Sequence, residues 1–267
     1  MKKLLNFETR GGGRFLAPCE GFARLFKRLL PGQAARLGFT LAEVLVTLGI
    51  IGVVSAMTVP SLMQNHQRKT YVTQLHKVYN EMQQAFLQYM TDKNAIDLRE
   101  AGLTSVEETQ NFLKKYLKVV SDCGQDLKEP CFSEAYKNMN GAAVTLGRGW
   151  DGASVVLASG ASVFIDYASK YNGTVNGKTY YYGAFVVDVN GLKGPNIVGR
   201  DLFRMYYFMD GTVDEVSGNP YCRKEGLCNG SDLKTLRENK FNASCASSTD
   251  GIGCFGKILN DNWEMTY

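Results

Sequence analysis

A chain of 267 residues with 45% apolar and 21% charged side chains is long and apolar enough to bury a core, which excludes a disordered chain. Its formal charge of +4 would hint at a nucleic-acid partner if the charges were evenly spread. They are not: residues 1–38 hold Lys2, Lys3, Arg10, Arg14, Arg24, Lys27, Arg28 and Arg36 against Glu8 and Glu20, while residues 39–267 carry 22 basic and 24 acidic side chains, so nothing beyond the first segment argues for a general basic patch.

Residues 1–38 read as a basic leader that is removed, and from Phe39 the chain turns apolar. Between Phe39 and Gln67 there is one carboxylate, Glu43, and no Lys or Arg, and Val44–Val59 is almost wholly apolar. A bilayer core of about 30 Å needs about 20 helical residues, and residues 39–64 supply them, with Arg68-Lys69 just beyond. The positive charges of the leader would hold the N-terminus in the cytoplasm and place the C-terminal part outside. A secretory signal would end in a small-residue cleavage site and be lost, whereas this apolar run continues into a helical pattern. Tyr71, Leu75, Val78, Met82, Ala85 and Tyr89 recur at steps of four and three, so residues 65–92 form the amphipathic half of the same helix. At about 1.5 Å per residue the whole helix, from Phe39 to Thr91, is on the order of 80 Å long.

Glu43 is the anomaly, since an ionised side chain in hydrocarbon costs about 2.5–3.5 kcal/mol. No basic residue lies within helical reach. A cut between Gly38 and Phe39 would create an α-amine four residues before Glu43, which its carboxylate could neutralise in its own or an adjacent subunit. A glutamate snorkelling from a helix end is the plain alternative.

The run Gly38-Phe39-Thr40-Leu41-Ala42-Glu43-Val44-Leu45-Val46 closely resembles the processing site of type IV prepilins and type II secretion pseudopilins. The resemblance implies that a membrane prepilin peptidase cuts after Gly38 and N-methylates Phe39. It also implies that Thr40, Glu43 and Pro60 belong to the assembly segment, with Glu43 as the carboxylate that guides subunits into place. Pro60 matches a family proline where the helix bends or melts in the filament. The local physics agrees, because its ring removes the hydrogen bond to the Ala56 carbonyl. A leader of 38 residues is longer than is usual in the family. The implied partners are the prepilin peptidase/methyltransferase, other pilin or pseudopilin subunits and an inner-membrane assembly platform. The implied location is the bacterial inner membrane, single-pass, with the C-terminal domain periplasmic before the subunit enters a pilus or pseudopilus.

Residues 93–141 read as an αβ-type connection, with a helix at Ser105–Val119 and a loop at Asp122–Phe132. In residues 142–217 the pattern becomes β, with strands expected at Ser154–Ala158, Ser162–Tyr167, Thr179–Val189, Leu202–Met209 and Thr212–Val216. The turn dipeptides Ser159-Gly160, Asn176-Gly177, Asn190-Gly191 and Asp210-Gly211 fall between them. The repeat Gly152-Ala-Ser-Val-Val and Gly160-Ala-Ser-Val-Phe reads as two arms of one hairpin. An antiparallel sheet of four or five strands follows. With the long N-terminal helix packed upon it, the fold class is α+β, a roll that the resemblance identifies as the pilin architecture.

The segment Asp188–Phe203 resembles a loop of many minor pilin-like proteins. Oxygens of Asp188, Asn190, Asn196 and Asp201 form a Ca²⁺ candidate, a cation that takes about six to eight oxygen ligands. A turn braced by Asx hydrogen bonds is favoured over it, because Lys193 and Arg200 lie in the same segment. No other cofactor is expected.

Cys123, Cys131, Cys222, Cys228, Cys245 and Cys254 lie beyond residue 120, and only Cys19 lies in the leader, whose removal makes the count even. The pattern suits disulfides formed in an oxidising compartment such as the periplasm. Free buried thiols and a metal site are the alternatives, although gaps of seven, five and eight residues are not C-x-x-C spacing. Residues 218–267, with four of these cysteines and little alternation, read as a disulfide-tied surface region.

Catalysis finds little support, since His66 and His76 lie ten residues apart on the long helix and neither G-x-S-x-G nor H-E-x-x-H occurs. Tyr180-Tyr181-Tyr182 and Tyr206-Tyr207 could stack on bases, but no Lys or Arg clusters beside them, which favours packing on the sheet. The chain thus reads as a structural filament subunit, minor rather than major. A tip adhesin or DNA-uptake pilin that binds a ligand through its C-terminal domain is the alternative, and a monomeric membrane-tethered periplasmic protein the third reading.

Overall fold

The computed structural model describes residues 38–125, 127, 129–146, 151–228, 230–247 and 250–267. Residues 1–37 of the basic leader, with Cys19, lie outside the described residues. The chain divides into two units, Met1–Ala56 and Met57–Tyr267. In the first, the described residues are the beginning of helix α1 (Leu41–Asp92), and they are exposed all round the helix.

In the second unit, α1 buries Val72, Leu75, Val78, Met82, Ala85, Phe86, Tyr89 and Met90. The expected stripe is therefore the packed one, with Val72 buried more deeply than its neighbour Tyr71. Phe86 anchors it, stacking at 5.2 Å on Phe112 and 4.8 Å on Tyr207. Phe112 belongs to α2 (Val106–Tyr116), which Ser105 caps by accepting the Glu108 N–H at 3.2 Å. That bond satisfies one of the donors every helix start leaves unpaired.

The strands follow as β1 (Val119–Gly124), β2 (Tyr136–Lys137), β3 (Ala143–Val144), β4 (Gly152–Leu157), β5 (Ser162–Asp166), β6 (Tyr171–Val175), β7 (Lys178–Asp188), β8 (Leu202–Phe208) and β9 (Val213–Asp214). Strands β2 and β3 form a small ribbon of their own. The others make a seven-stranded sheet in the order β1-β4-β5-β7-β8-β9, with β6 also beside β7, and each pair is antiparallel. Val155 opposite Val163 fixes the register of the repeated Ala-Ser-Val arms as one hairpin.

Side chains alternate between the two faces. Val155, Val163, Ile165, Phe185, Val187, Phe203 and Met205 meet the helix. Phe164, Val186 and Leu202 point the other way and pack with Cys131, Phe132 and Tyr136. Gly183 permits one close approach, because a Cβ there would lie 2.4 Å from the Tyr207 ring. The Tyr207 hydroxyl in turn donates to the Asp166 carbonyl oxygen at 2.5 Å.

Two expectations need correction. The sheet has seven strands rather than four or five, because β1 extends into the connecting region and β6 pairs with β7 across the Asn176-Gly177 turn. The tail is also more than a surface region. It forms α3 (Pro220–Glu225), β10 (Leu227–Cys228), β11 (Ser231–Asp232), α4 (Leu233–Lys240), a π-helical turn (Phe241–Cys245) and α5 (Cys254–Asn260). Phe255, Ile258 and Met265 enter the main core, and Trp263 stacks on His76 of α1 at 3.9 Å. Arg237 of α4 clasps the buried Asp214 of β9 with two hydrogen bonds of 2.9 and 2.5 Å. Helices of about two turns show too few periods to be read from hydrophobic spacing, which is why this layer was hidden in the sequence.

Candidate processing and assembly site

Helix α1 starts at Leu41, and the residue before it supplies the cap. The Glu43 carboxylate accepts from the Thr40 N–H and from the Thr40 hydroxyl, both at 2.8 Å, while the Glu43 N–H donates to the Thr40 hydroxyl oxygen at 3.2 Å. This is a reciprocal capping box, in which threonine and glutamate three positions apart satisfy each other's backbone donors. Its negative charge also sits at the positive end of the helix dipole. The signature Thr40-Leu41-Ala42-Glu43 before an apolar run is legible in the sequence as a capping box. Glu43 thus has a local partner within its own chain, and among the described residues only one of its two oxygens is engaged.

Gly38 and Phe39 precede the helix in open backbone, and the Phe39 ring is 87% exposed. A Cβ on Gly38 would meet nothing within 4 Å among the described residues. Behind it Leu45, Val46, Leu48, Ile50, Ile51, Val53 and Val54 are all more than half exposed, and farther along Met57, Leu62 and Met63 are as well. A helix of this length and apolar composition is able to cross a membrane. Pro60 lies within α1, which stays helical through it. Having no N–H, Pro60 leaves the Ala56 carbonyl without its usual helical donor.

The cysteines predicted to pair do so with their sequence neighbours: Cys123–Cys131, Cys222–Cys228 and Cys245–Cys254, with Cα atoms 6.2, 4.9 and 5.1 Å apart. Each closes a local loop. Cys123–Cys131 pins the loop after β1 over the outer sheet face, and Cys245–Cys254 ties the π-helical turn to the first residue of α5.

Asp188 and Asp201 are fully buried, and the structure brings them into one loop with Asn190 and Asn196. Asp188 accepts from the Tyr136 hydroxyl at 2.5 Å and from the Asn190 N–H at 3.1 Å. Asp201 accepts from the N–H groups of Asn196 and Ile197 at 2.7 and 2.6 Å. All four carboxylate oxygens therefore already accept a hydrogen bond, whereas the side-chain carbonyls of Asn190 and Asn196 have none. Burial raises Asp188 to about 7 and also raises Asp201, as expected of acids removed from water. Among the described residues, no group of three or more His, Cys, Asp or Glu side chains is placed to hold a metal ion.

The tyrosines singled out above lie mostly on the sheet face opposite α1. Tyr182 packs at 5.5 Å from Tyr171, 5.8 Å from Tyr180 and 5.6 Å from Tyr206. Tyr207 alone of the Tyr206-Tyr207 pair turns into the core. His66 is exposed, and His76 is engaged by Trp263.

Over 124 residues the chain is 30% identical to the prepilin peptidase-dependent protein D of Escherichia coli (strain K12), a match covering 45% of this chain and 77% of that protein. No protein-family model matches the chain, and no solved structure matches it.

Proposed function

This chain belongs to the family of prepilin peptidase-dependent protein D, and from that premise we propose that it is a structural subunit of a type IV pilus-like or type II secretion pseudopilus filament. In this reading, prepilin peptidase cuts after Gly38 and N-methylates Phe39. The chain waits as a single-pass protein of the inner membrane, with its sheet domain in the periplasm, and leaves the bilayer when it joins the filament.

The observation that carries the reading is the exposed apolar first half of α1, from Leu41 to Met63, whose one acid, Glu43, stands at its very start. The Thr40–Glu43 box holds that carboxylate at the helix N-terminus with one oxygen open. Cleavage would place a cationic amine on Phe39, the residue before Thr40. The open oxygen can then pair with the amine of a neighbouring subunit, where low dielectric strengthens the attraction. The exposed apolar surface is covered by lipid before assembly and by other α1 helices after it.

The test is to express Glu43→Ala and Glu43→Gln in the native host and follow leader removal and entry into sheared filaments. Both variants should lose the leader normally and be absent from filaments. Unimpaired incorporation of both would overturn the assembly role.

A further inference from the structure

Just past the exposed apolar residues Leu62 and Met63, the surface changes character. Gln64, Gln67, Arg68 and Tyr71 of α1 face Arg200, from the loop before β8, across a cavity of about 290 Å³. Both guanidiniums line this cavity. Among the described residues, neither side chain forms an ion pair or a hydrogen bond. Arg68 and Arg200 line the same cavity; desolvation lowers the pKa of Arg200, the positive charge of Arg68 lowers it further, and Tyr267 opposes both. The acids nearest to Tyr71, Asp188 and Asp201, are committed to the Tyr136 hydroxyl and to backbone N–H groups.

Two facing guanidiniums fit a tetrahedral oxyanion better than a single carboxylate, because each presents a planar fork of donors that phosphate oxygens accept in pairs. The glutamine amides and the Tyr71 hydroxyl add neutral donors. Depth supplies the rest. Arg68 lies five residues beyond Met63, a rise of about 7–8 Å along a helix, which matches the head-group layer outside a hydrocarbon core of about 30 Å. Arg68 also lines a second cavity with Lys69, Trp263 and Glu264, and tryptophan beside lysine is the composition of a membrane interface.

We infer that the cavity between Arg68 and Arg200 receives the phosphodiester of a membrane phospholipid head group while the subunit is anchored in the bilayer. The inference rests on the membrane-anchored reading above. Such a clamp would set the depth of the waiting subunit and would be vacated when it leaves the membrane, so lipid release becomes part of the assembly step.

The test uses the full processed chain in phosphatidylglycerol–phosphatidylcholine nanodiscs, with retained phospholipid counted by native mass spectrometry on release. Arg68→Gln/Arg200→Gln should retain about tenfold less lipid than the wild type, the loss expected when charge-assisted bonds to phosphate are removed. Lys224→Gln, an exposed charge elsewhere, should not change retention. Arg200→Lys, which keeps the charge but loses the planar fork, should retain an amount between wild type and the double variant, which separates lost charge from lost fold. Inorganic phosphate should not displace the lipid.

Equal retention by the double variant overturns the inference. So does inorganic phosphate binding as tightly as lipid, which would make this a general anion site, or a double variant that keeps lipid but loses self-association, which would assign the arginines to a neighbouring subunit's acid. A chain that fails to insert into nanodiscs at all refutes the anchored reading itself, a failure visible in the wild type before any variant is compared.

Discussion

Glu43 caps its own helix, and in the proposed reading the same carboxylate has a second, separable job as a charge offered to a neighbour. Replacing a cap costs about 0.5–2 kcal/mol, whereas leaving an amine unpaired in a low-dielectric filament core costs more. Glutamine preserves most of the first job and none of the second. Leader removal should therefore survive Glu43→Gln while filament entry does not, and a variant that assembled normally would reduce Glu43 to a cap.

The buried acids make a second statement at this scale. Burial lifts Asp166 to about 6 and Asp188 and Glu215 to about 7, all above their ordinary values. A raised carboxyl pKa means that the folded state binds more protons than the unfolded one, so these groups contribute stability that is present at low pH and lost as pH rises through the folded values. Lowering the pH from about 7 to about 5 should raise Tm, and Asp188→Asn should shrink that rise. Adding calcium or a chelator at neutral pH checks the loop as well. With all four carboxylate oxygens already accepting hydrogen bonds, Tm should stay where it is, whereas a ligand-dependent increase would mean that the orphan carbonyls of Asn190 and Asn196 complete a cation site.

At the scale of elements, the long helix is held by its amphipathic half. Phe86 stands where α1, α2 and β8 meet, and Phe86→Ala should cost about 3–5 kcal/mol in denaturant unfolding, the usual range for emptying a closed aromatic site. Replacing Cys245 and Cys254 with serine should cost about 2–4 kcal/mol by releasing a short loop.

These elements also divide into what could and could not be read from the chain. The stripe from Leu75 to Tyr89 and the strands β4, β5, β7 and β8 were legible because many periods of hydrophobic spacing agree with one buried face. Strand β6 was not, because Tyr171-Asn-Gly-Thr-Val carries turn-forming residues and only Val175 is buried. The tail helices span about two turns each, and their membership of the core depends on Trp263 and Phe255 meeting His76 and Tyr79, contacts between residues some 180 positions apart. The capping box at Thr40 was readable, but the pairing of Arg68 with Arg200 was not, since no local pattern joins a helix to a loop so far along the chain.

For the whole molecule, the contrast between its two units is what function has to explain. The sheet unit satisfies itself: it has a closed core, three local disulfides and a tail clasped by Arg237 on Asp214. The described start of α1 carries its own cap and exposes an apolar surface that water disfavours by about 25 cal/mol per Å². A protein built this way needs lipid or other helices around α1, and exchanging one for the other is the proposed assembly step. The local disulfides suit a domain that folds in the periplasm before that exchange.

The most direct check is the mass of the mature N-terminus, taken by peptide mapping of the protein recovered from the membrane and from sheared filaments. Both should begin at Phe39 and carry one N-methyl group, with the apolar helix retained. A leader still attached in the filament fraction, or a mature chain that begins beyond Met63, would contradict a processed subunit that assembles through this helix.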